Sequence, residues 1–164
     1  MVNLFKKGMN YISTGDILSA RETFDIILLK EPNSSLAYAG KGKCEEIDNN
    51  FELSATYYKK SIELDPTNST FYFNLANVLV KKSMNLNVED YYYEALEYYL
   101  KCLDLKNNDF MCYTNIGVCY ICLKDYEQAI TYLKKSVSIN SVYAANYYYI
   151  STCYNNLLNF KKSI

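Results

Sequence analysis

The chain has 164 residues, of which 18 are acidic and 17 are basic, so its formal net charge is −1. This near-balance argues against the strongly basic surface with which proteins bind a nucleic-acid backbone. Because the sequence contains no histidine, it excludes Ser-His and Cys-His catalytic pairs and every zinc site that needs a histidine ligand.

Nothing in the sequence predicts export or insertion into a membrane. The densest apolar run, residues 26–29, ends at Lys30 and Glu31, and the first residues lack the apolar stretch of a secretory signal. We therefore expect an intracellular protein, cytoplasmic or nuclear, whose six cysteines are reduced thiols.

The chain repeats with a period of 34 residues, beginning with Pro32 and Pro66, each of which precedes residues suited to capping a helix. Apolar residues recur at helical spacing within each period, so each unit is predicted to be a pair of amphipathic helices. The units are 1–34, 35–68, 69–109, 110–143 and a partial unit, 144–164.

Two positions of each unit have a small side chain. Small residues let paired helices approach closely while aromatic residues fill the space between units. The first position holds Gly8, Gly42, Ala76, Gly117 and Ser151, and the second holds Ala20, Ser54, Ala95, Ala129 and Ser163.

Unit three contains a seven-residue insertion within residues 81–91. Met84, Leu86 and Val88 are more apolar than a solvated loop needs, and Glu89 and Asp90 suit the first turn of a following helix. We expect the insertion to extend the paired helices or to form an ordered turn that projects at one edge as a secondary contact site. The alternative is a flexible loop.

Unit four is predicted to contain helices from Phe110 to Leu123 and from Tyr126 to Ile139. Its segments 112–120 (CYTNIGVCY) and 125–130 (DYEQAI) are close to the signature of the tetratricopeptide repeat (TPR) family, which the whole chain resembles. The resemblance implies an all-α fold, a right-handed superhelix of tandem helix-turn-helix repeats.

Four residues depart from the family pattern. Lys7 and Lys41 stand where the family usually has an apolar residue, and Asn107 and Ser141 replace the closing proline of units three and four. These departures affect the packing of the first two units and the ends of units three and four.

The resemblance also implies a function, the binding of a protein or peptide without catalysis, along a concave groove formed by the first helices. The implied groove residues are Phe73, Asn74, Asn77, Met111, Thr114, Asn115, Val118, Ile121, Tyr148 and Tyr149, together with Phe5, Met9, Ile12, Ala39, Lys43, Glu46, Val80, Ala145 and Thr152. Asparagine both donates and accepts hydrogen bonds, so it can hold an extended peptide backbone. The alternative is that these asparagines are only common family residues.

One subset of the family clamps the acidic C-terminal tails of chaperones with lysine, arginine and asparagine. The best window here places Asn77 and Asn115 at asparagine positions, but Phe73, Ala145 and Tyr149 at cationic positions. With no cation there to pair with a terminal carboxylate, we predict that the chain is not a chaperone-tail clamp.

No set of residues is typical of an enzyme, a metal site or a cofactor site. Cys119 and Cys122 have C-x-x-C spacing but fall late in a predicted helix, so packing is the favoured interpretation. The acidic residues are interpreted as solvated charges at helix ends or in loops: Glu45, Glu46, Glu89, Asp90, Asp125 and Glu127.

Two further functions stay open. One is a structural segment of a larger assembly that self-associates through exposed array ends, since no helix follows to cover Leu157, Leu158, Phe160 and Ile164 in the second helix of unit five. The other is the regulatory repeat part of a longer enzyme.

Overall fold

The computed structural model describes residues 2–162, with side chains up to residue 159. Within this range the structure consists of helices joined by short turns, which confirms the predicted all-α repeat fold. The helices are α1 (Val2–Ser13), α2 (Ile17–Lys30), α3 (Ser35–Ile47), α4 (Phe51–Leu64), α5 (Ser69–Leu86), α6 (Asp90–Leu105), α7 (Phe110–Cys122), α8 (Tyr126–Ile139) and α9 (Ala144–Lys162).

The helices pack in the order of the chain. Each helix contacts its neighbours in sequence, and α1 also contacts α3, as α7 contacts α9. Three residues join the two helices of a pair and four residues join successive pairs, at every connection. We call α1, α3, α5, α7 and α9 the first helices and α2, α4, α6 and α8 the second helices.

The turns within pairs have specific backbone requirements. In three of these turns the middle residue has a left-handed backbone conformation. These residues are Gly15 with φ 81°, Asn49 with φ 61° and Lys124 with φ 61°. Glycine and asparagine adopt this conformation at low cost. Asp16 and Asp125 then cap the following helices, accepting from the backbone N–H groups of Ser19 and Gln128.

Three of the four turns between units share one tyrosine hydrogen bond, which does not depend on the closing proline. The hydroxyl of Tyr72 donates to the carbonyl of Pro66 at 3.1 Å, and that of Tyr147 donates to the carbonyl of Ser141 at 3.0 Å. Tyr113 makes the corresponding bond, 3.4 Å long, to the carbonyl of Asn107. A backbone carbonyl accepts this bond whatever its side chain, so Asn107 and Ser141 replace proline without losing the contact.

The small residues lie at close helix contacts in the first four units. A Cβ atom added to Gly8 would lie 2.8 Å from the ring of Phe24, and one added to Gly117 would lie 2.6 Å from Cγ of Leu133. At the second small position Ala20, Ser54, Ala95 and Ala129 are fully buried. Ser163 lies outside the described residues, and Ser151 is exposed.

Lys41 replaces an apolar core residue without being left unpaired. Its ammonium lies 2.5 Å from Oδ1 of Asp25 and 5.1 Å from the ring centroid of Tyr57. The aliphatic part of a lysine can pack against apolar surface while its charge reaches a partner. The second unit therefore keeps its packing despite the substitution.

The insertion in unit three lengthens both helices of the pair, as one of the two ordered alternatives predicted. α5 has 18 residues against 13 in α3 and α7, and α6 has 16 against 14 in α4 and α8. The turn between them keeps its three residues and is closed by Ser83, whose hydroxyl donates to the carbonyl of Val88 at 2.5 Å. Met84 and Leu86 are exposed on the extension.

The end of the chain differs from the prediction. We expected a turn followed by a second helix in unit five, but α9 continues without a break through residues 157–159 to Lys162. This stretch has no glycine or proline to stop a helix, and its two leucines favour helix continuation. Leu158 is exposed and Leu157 half-buried, whereas the side chains of Phe160 and Ile164 lie outside the described part.

Replacing Gly117 with leucine should destabilise the chain by about 1–3 kcal/mol, because the new side chain would collide with Leu133 and with the carbonyl of Ala129. Urea denaturation followed by circular dichroism measures the change. Ser151→Leu is the matched control, since Ser151 occupies the same repeat position but is exposed. Equal losses of stability in the two variants would contradict the assigned register.

Candidate functional site

Two neighbouring cavities open on the wall formed by the first helices. The first has a volume of about 350 Å³ and is lined by residues of α1, α3 and α5 and of the turn before α5: Phe5, Met9, Leu36, Ala39, Gly40, Lys43, Asn68, Thr70, Phe71 and Asn74. The second has a volume of about 340 Å³ and is lined by residues of α3, α5, α6 and α7: Glu46, Asn77, Val80, Lys81, Met84, Tyr99, Asn115 and Val118. Each cavity therefore spans three successive units.

Two asparagines in the second cavity are held by a buried tyrosine. The hydroxyl of Tyr99 donates to Oδ1 of Asn77 at 2.6 Å, and Nδ2 of Asn115 donates to the same oxygen at 2.9 Å. Burial raises the pKa of Tyr99, so its hydroxyl stays protonated and remains a donor. Within the described part of the chain, Nδ2 of Asn77 and Oδ1 of Asn115 have no hydrogen-bond partner. One donor and one acceptor therefore face the cavity.

A buried carboxylate lies where the two cavities meet, and it corrects the prediction that Glu46 is a solvated charge. Glu46 is only 5% exposed. Its Oε2 lies 3.0 Å from Nζ of Lys43 and accepts a 3.5 Å hydrogen bond from Tyr58, while its Oε1 lies 2.6 Å from Nζ of Lys81. Burying a carboxylate this deeply is unfavourable unless it has such partners. We call these residues the Lys43–Glu46–Lys81 cluster.

Glu45 is likewise buried, where we expected a solvated charge. Its Oε1 lies 3.0 Å from Nε of Arg21, and its Oε2 accepts a 2.9 Å hydrogen bond from Nδ2 of Asn50. Arg21 also pairs with Asp48 at 2.7 Å. This pairing joins α2 to α3 and to the turn that follows α3, so its role is structural. Of the other acidic residues in the prediction, Glu89, Asp90, Asp125 and Glu127 are exposed.

The structure brings together only part of the predicted groove. Among the ten residues central to the prediction, Asn74 lines the first cavity, and Asn77, Asn115 and Val118 line the second. Phe73 is half-buried and packs edge-on against Tyr99, with ring centroids 5.9 Å apart. It thus supports the second cavity from the side rather than lining it.

The rest of these ten residues lie apart from both cavities, whereas Phe5, Met9, Ala39, Lys43, Glu46 and Val80 of the wider prediction line them. Met111 is half-buried, and Ile121 and Tyr149 pack against the apolar cluster between α8 and α9. Tyr148 is 70% exposed and contacts the ring of Tyr149. The wall near α9 therefore exposes aromatic surface.

The prediction that Thr114 lines the groove is wrong, because its side chain is buried. Its Oγ1 lies 2.8 Å from Oγ of Ser136 and 2.9 Å from Oδ1 of Asn146, whose Nδ2 donates to Ser136 at 2.8 Å. These three residues form a closed polar network that ties α7, α8 and α9 together. No local pattern indicates this network, since Asn146 falls in a segment of mixed polarity.

The prediction missed several cavity residues, among them Lys81 and Met84 near the end of α5. Lys81 lies one helical turn after Asn77, and Met84 belongs to the residues added by the insertion. Lys81 places a cation beside Asn77 and Asn115, although it occupies none of the cationic positions of the chaperone-tail clamp. The spacing of four residues from Asn77 was the signal that could have revealed it.

The cysteines are consistent with packing. Cys119 is fully buried, and burial raises the pKa of its thiol to about 12, so it is a neutral thiol near neutral pH. Cys122, the second cysteine of the C-x-x-C pair, is half-buried. Across residues 2–162, no three His, Cys, Asp or Glu side chains are grouped so that they could hold a metal ion.

None of the helices in the described range combines the length and the apolar character that crossing a membrane requires.

Comparison with protein families identifies the repeat. Models of the tetratricopeptide repeat match residues 3–34, 36–68, 57–90 and 112–143. Together these segments include most of the chain. No curated protein sequence matches it significantly.

Solved structures with the same fold share little sequence with this chain. PilF of Pseudomonas aeruginosa superimposes with a TM-score of 0.84 at 19% identity, covering 96% of this chain and 69% of that one. MamA superimposes with a TM-score of 0.77 at 19% identity, covering 91% and 83%. YrrB, described as a TPR protein with an unusual peptide-binding site, has a TM-score of 0.76 at 18% identity, covering 98% and 79%. At these identities the likeness shows the fold alone.

Replacing Thr114 with valine should cost about 1–3 kcal/mol of stability, because Asn146 and Ser136 would lose a buried hydrogen-bond partner. Thermal or urea unfolding measures the effect. Thr131→Val is the matched control, because the hydroxyl of Thr131 also bonds to its own helix backbone but is exposed. A change at Thr114 no larger than the change at Thr131 would mean that the network does not stabilise the array.

Proposed function

This chain belongs to the tetratricopeptide repeat family, and we propose that it is a non-enzymatic module that binds a protein or peptide segment in its two adjoining cavities. The observation that supports this most directly is the continuous wall of the first helices, where both cavities open. We call the two cavities together the groove.

The chemistry of the groove suits an extended peptide. Asn77 offers an amide donor and Asn115 an amide acceptor, so a peptide backbone could satisfy both without regard to its side chains. The apolar residues of the two cavities, among them Phe5 and Met9 in the first and Val118 in the second, can bury side chains of the partner. We therefore propose Asn74, Asn77, Asn115 and Val118 as contact residues.

The remaining predicted residues have different roles in this proposal. Phe73 acts through Tyr99, which holds Asn77 in place. Thr114 acts through the network that fixes α7 against α9. Tyr148 and Tyr149 lie beyond the groove and would contact only a partner long enough to continue along α9.

A paired comparison tests the groove. Asn74→Ala/Asn115→Ala should weaken binding of a natural partner by about 2 kcal/mol, whereas Lys59→Ala/Lys134→Ala on the second helices should have little effect. Affinity purification from native lysate with quantitative mass spectrometry identifies proteins lost only with the first variant. Titration of a recovered partner then gives the affinities. Circular dichroism verifies that both variants are folded, and equal losses in both would place the interface elsewhere.

Self-association is a second candidate function, supported by the surface of α9. Tyr147, Ser151, Tyr154 and Leu158 are exposed along one stripe of this helix, and residues 144–159 include no charged side chain. In unit four the matching residues Tyr113, Gly117 and Tyr120 pack against α8. The α9 stripe thus has the tyrosine-rich, charge-poor composition of interface cores.

Sedimentation velocity over a range of concentrations tests this candidate. If the stripe self-associates, the sedimentation coefficient should rise with concentration, and Ser151→Glu should abolish the rise by placing a charge at its centre. Tyr93→Glu, at an exposed position on α6, is the control. A coefficient independent of concentration would rule out self-association.

A further inference from the structure

The Lys43–Glu46–Lys81 cluster bridges the two cavities. Lys43 lines the first cavity, and Glu46 and Lys81 line the second. These three are the charged residues in the lining of the groove, so its net charge is positive. Any partner segment that occupies both cavities must pass over this cluster.

The lysines have donors to spare. Each ammonium has three N–H donors, yet both lysines share the single carboxylate of Glu46. The side chain of Lys43 is 41% exposed and that of Lys81 is 49% exposed, whereas that of Glu46 is 5% exposed. The groove therefore presents cationic groups to a ligand and keeps its own carboxylate out of reach.

We propose that this cluster selects a partner segment in which an aspartate or glutamate side chain is flanked on both sides by apolar residues. The inference rests on the groove-binding function proposed above and adds the chemical class of the partner. The acidic side chain would accept hydrogen bonds from Lys43 and Lys81, and each flanking apolar side chain would enter one cavity.

The apolar linings on both sides of the cluster favour an internal acidic residue over a terminal carboxylate. Phe5, Met9 and Ala39 line the cavity on the Lys43 side, and Met84 and Val118 line the cavity on the Lys81 side. A chain that ended at the cluster could fill only one of them. A segment that continues past the cluster buries apolar side chains in both.

A basic partner segment would fit this surface poorly. Its ammonium would meet the exposed ammonium groups of Lys43 and Lys81, and like charges in an interface are unfavourable. The carboxylate of Glu46 cannot compensate, because it is already engaged by both lysines and by Tyr58. Charge thus discriminates between partners.

The test begins with selection from a phage-displayed library of random linear peptides whose C-termini are fused to the coat protein, so that no free terminal carboxylate is presented. We expect the selected peptides to share an acidic residue between apolar residues. Synthetic copies with amidated C-termini, labelled for fluorescence anisotropy, then give affinities for the 164-residue chain.

Changes on either side of the contact should weaken binding about tenfold. These changes are Glu→Gln or Asp→Asn in the peptide, and Lys43→Gln or Lys81→Gln in the protein. Lys60→Gln on α4, whose lysine pairs with Glu63 away from the groove, is the matched control and should leave affinity unchanged. Glu46→Gln should tighten binding of the acidic peptide, because it frees both lysines. Thermal unfolding verifies that each variant is folded.

The outcomes separate this inference from the function on which it rests. Peptides that lose affinity with Val118→Asp but show no dependence on their acidic residue would overturn the inference and leave groove binding intact. Binding that requires a free C-terminal carboxylate in the synthetic peptides would overturn it as well. If no peptide is selected, or if binding is insensitive to Val118→Asp, both the groove and the inference are wrong.

Discussion

The array depends on the contact between a large side chain of a second helix, in α2, α4 and α8, and a small residue of a neighbouring first helix. Phe24 is fully buried against Gly8 and Gly40, Tyr58 packs on Gly42, and Leu133 packs on Gly117. Cβ atoms at Gly8, Gly40 and Gly117 would lie within 3.0 Å of these side chains, so there the helix spacing leaves no room for a larger residue. Because the contact recurs in successive units, it fixes both the packing within a pair and the angle at which pairs follow one another.

The same contact also positions the groove. Tyr58 and Tyr99 are buried in the second helices, yet their hydroxyls reach Glu46 and Asn77 on the wall of the first helices. Phe24 occupies the equivalent position in unit one without a hydroxyl, and the residue opposite it is Gly40, at the repeat position where units three and four have asparagine. Two polar side chains of the groove are thus held from the core by a tyrosine hydroxyl of a second helix.

Features that depend on local patterns could be predicted from the sequence, whereas features that depend on contacts between distant residues could not. The period, the small positions and the lengthening of the helices in unit three depend on local patterns, which a sequence displays directly. The burial of Glu46 depends on Lys43, on Lys81 thirty-five residues away and on Tyr58, and the network of Thr114 depends on Asn146 in another unit. The contacts of Lys81 and Asn146 form only when units stack, so no local pattern indicates them. The prediction of a turn in unit five failed for the opposite reason. It followed the repeat register, but local helix propensity prevailed there and α9 is continuous.

The extension of α5 has a consequence for translational symmetry. A tandem array presents similar surfaces at regular intervals, so a long partner could in principle slide by one unit and find nearly equivalent contacts. α5 is five residues longer than α3 and α7, which makes it protrude by about 7.5 Å. Among the first helices that line the groove, only α5 has this step in the described part of the chain, and the step lies beside the second cavity. The protruding end of α5 would block a partner that slides by one unit. It thereby makes one alignment of the partner on the repetitive surface different from all the others.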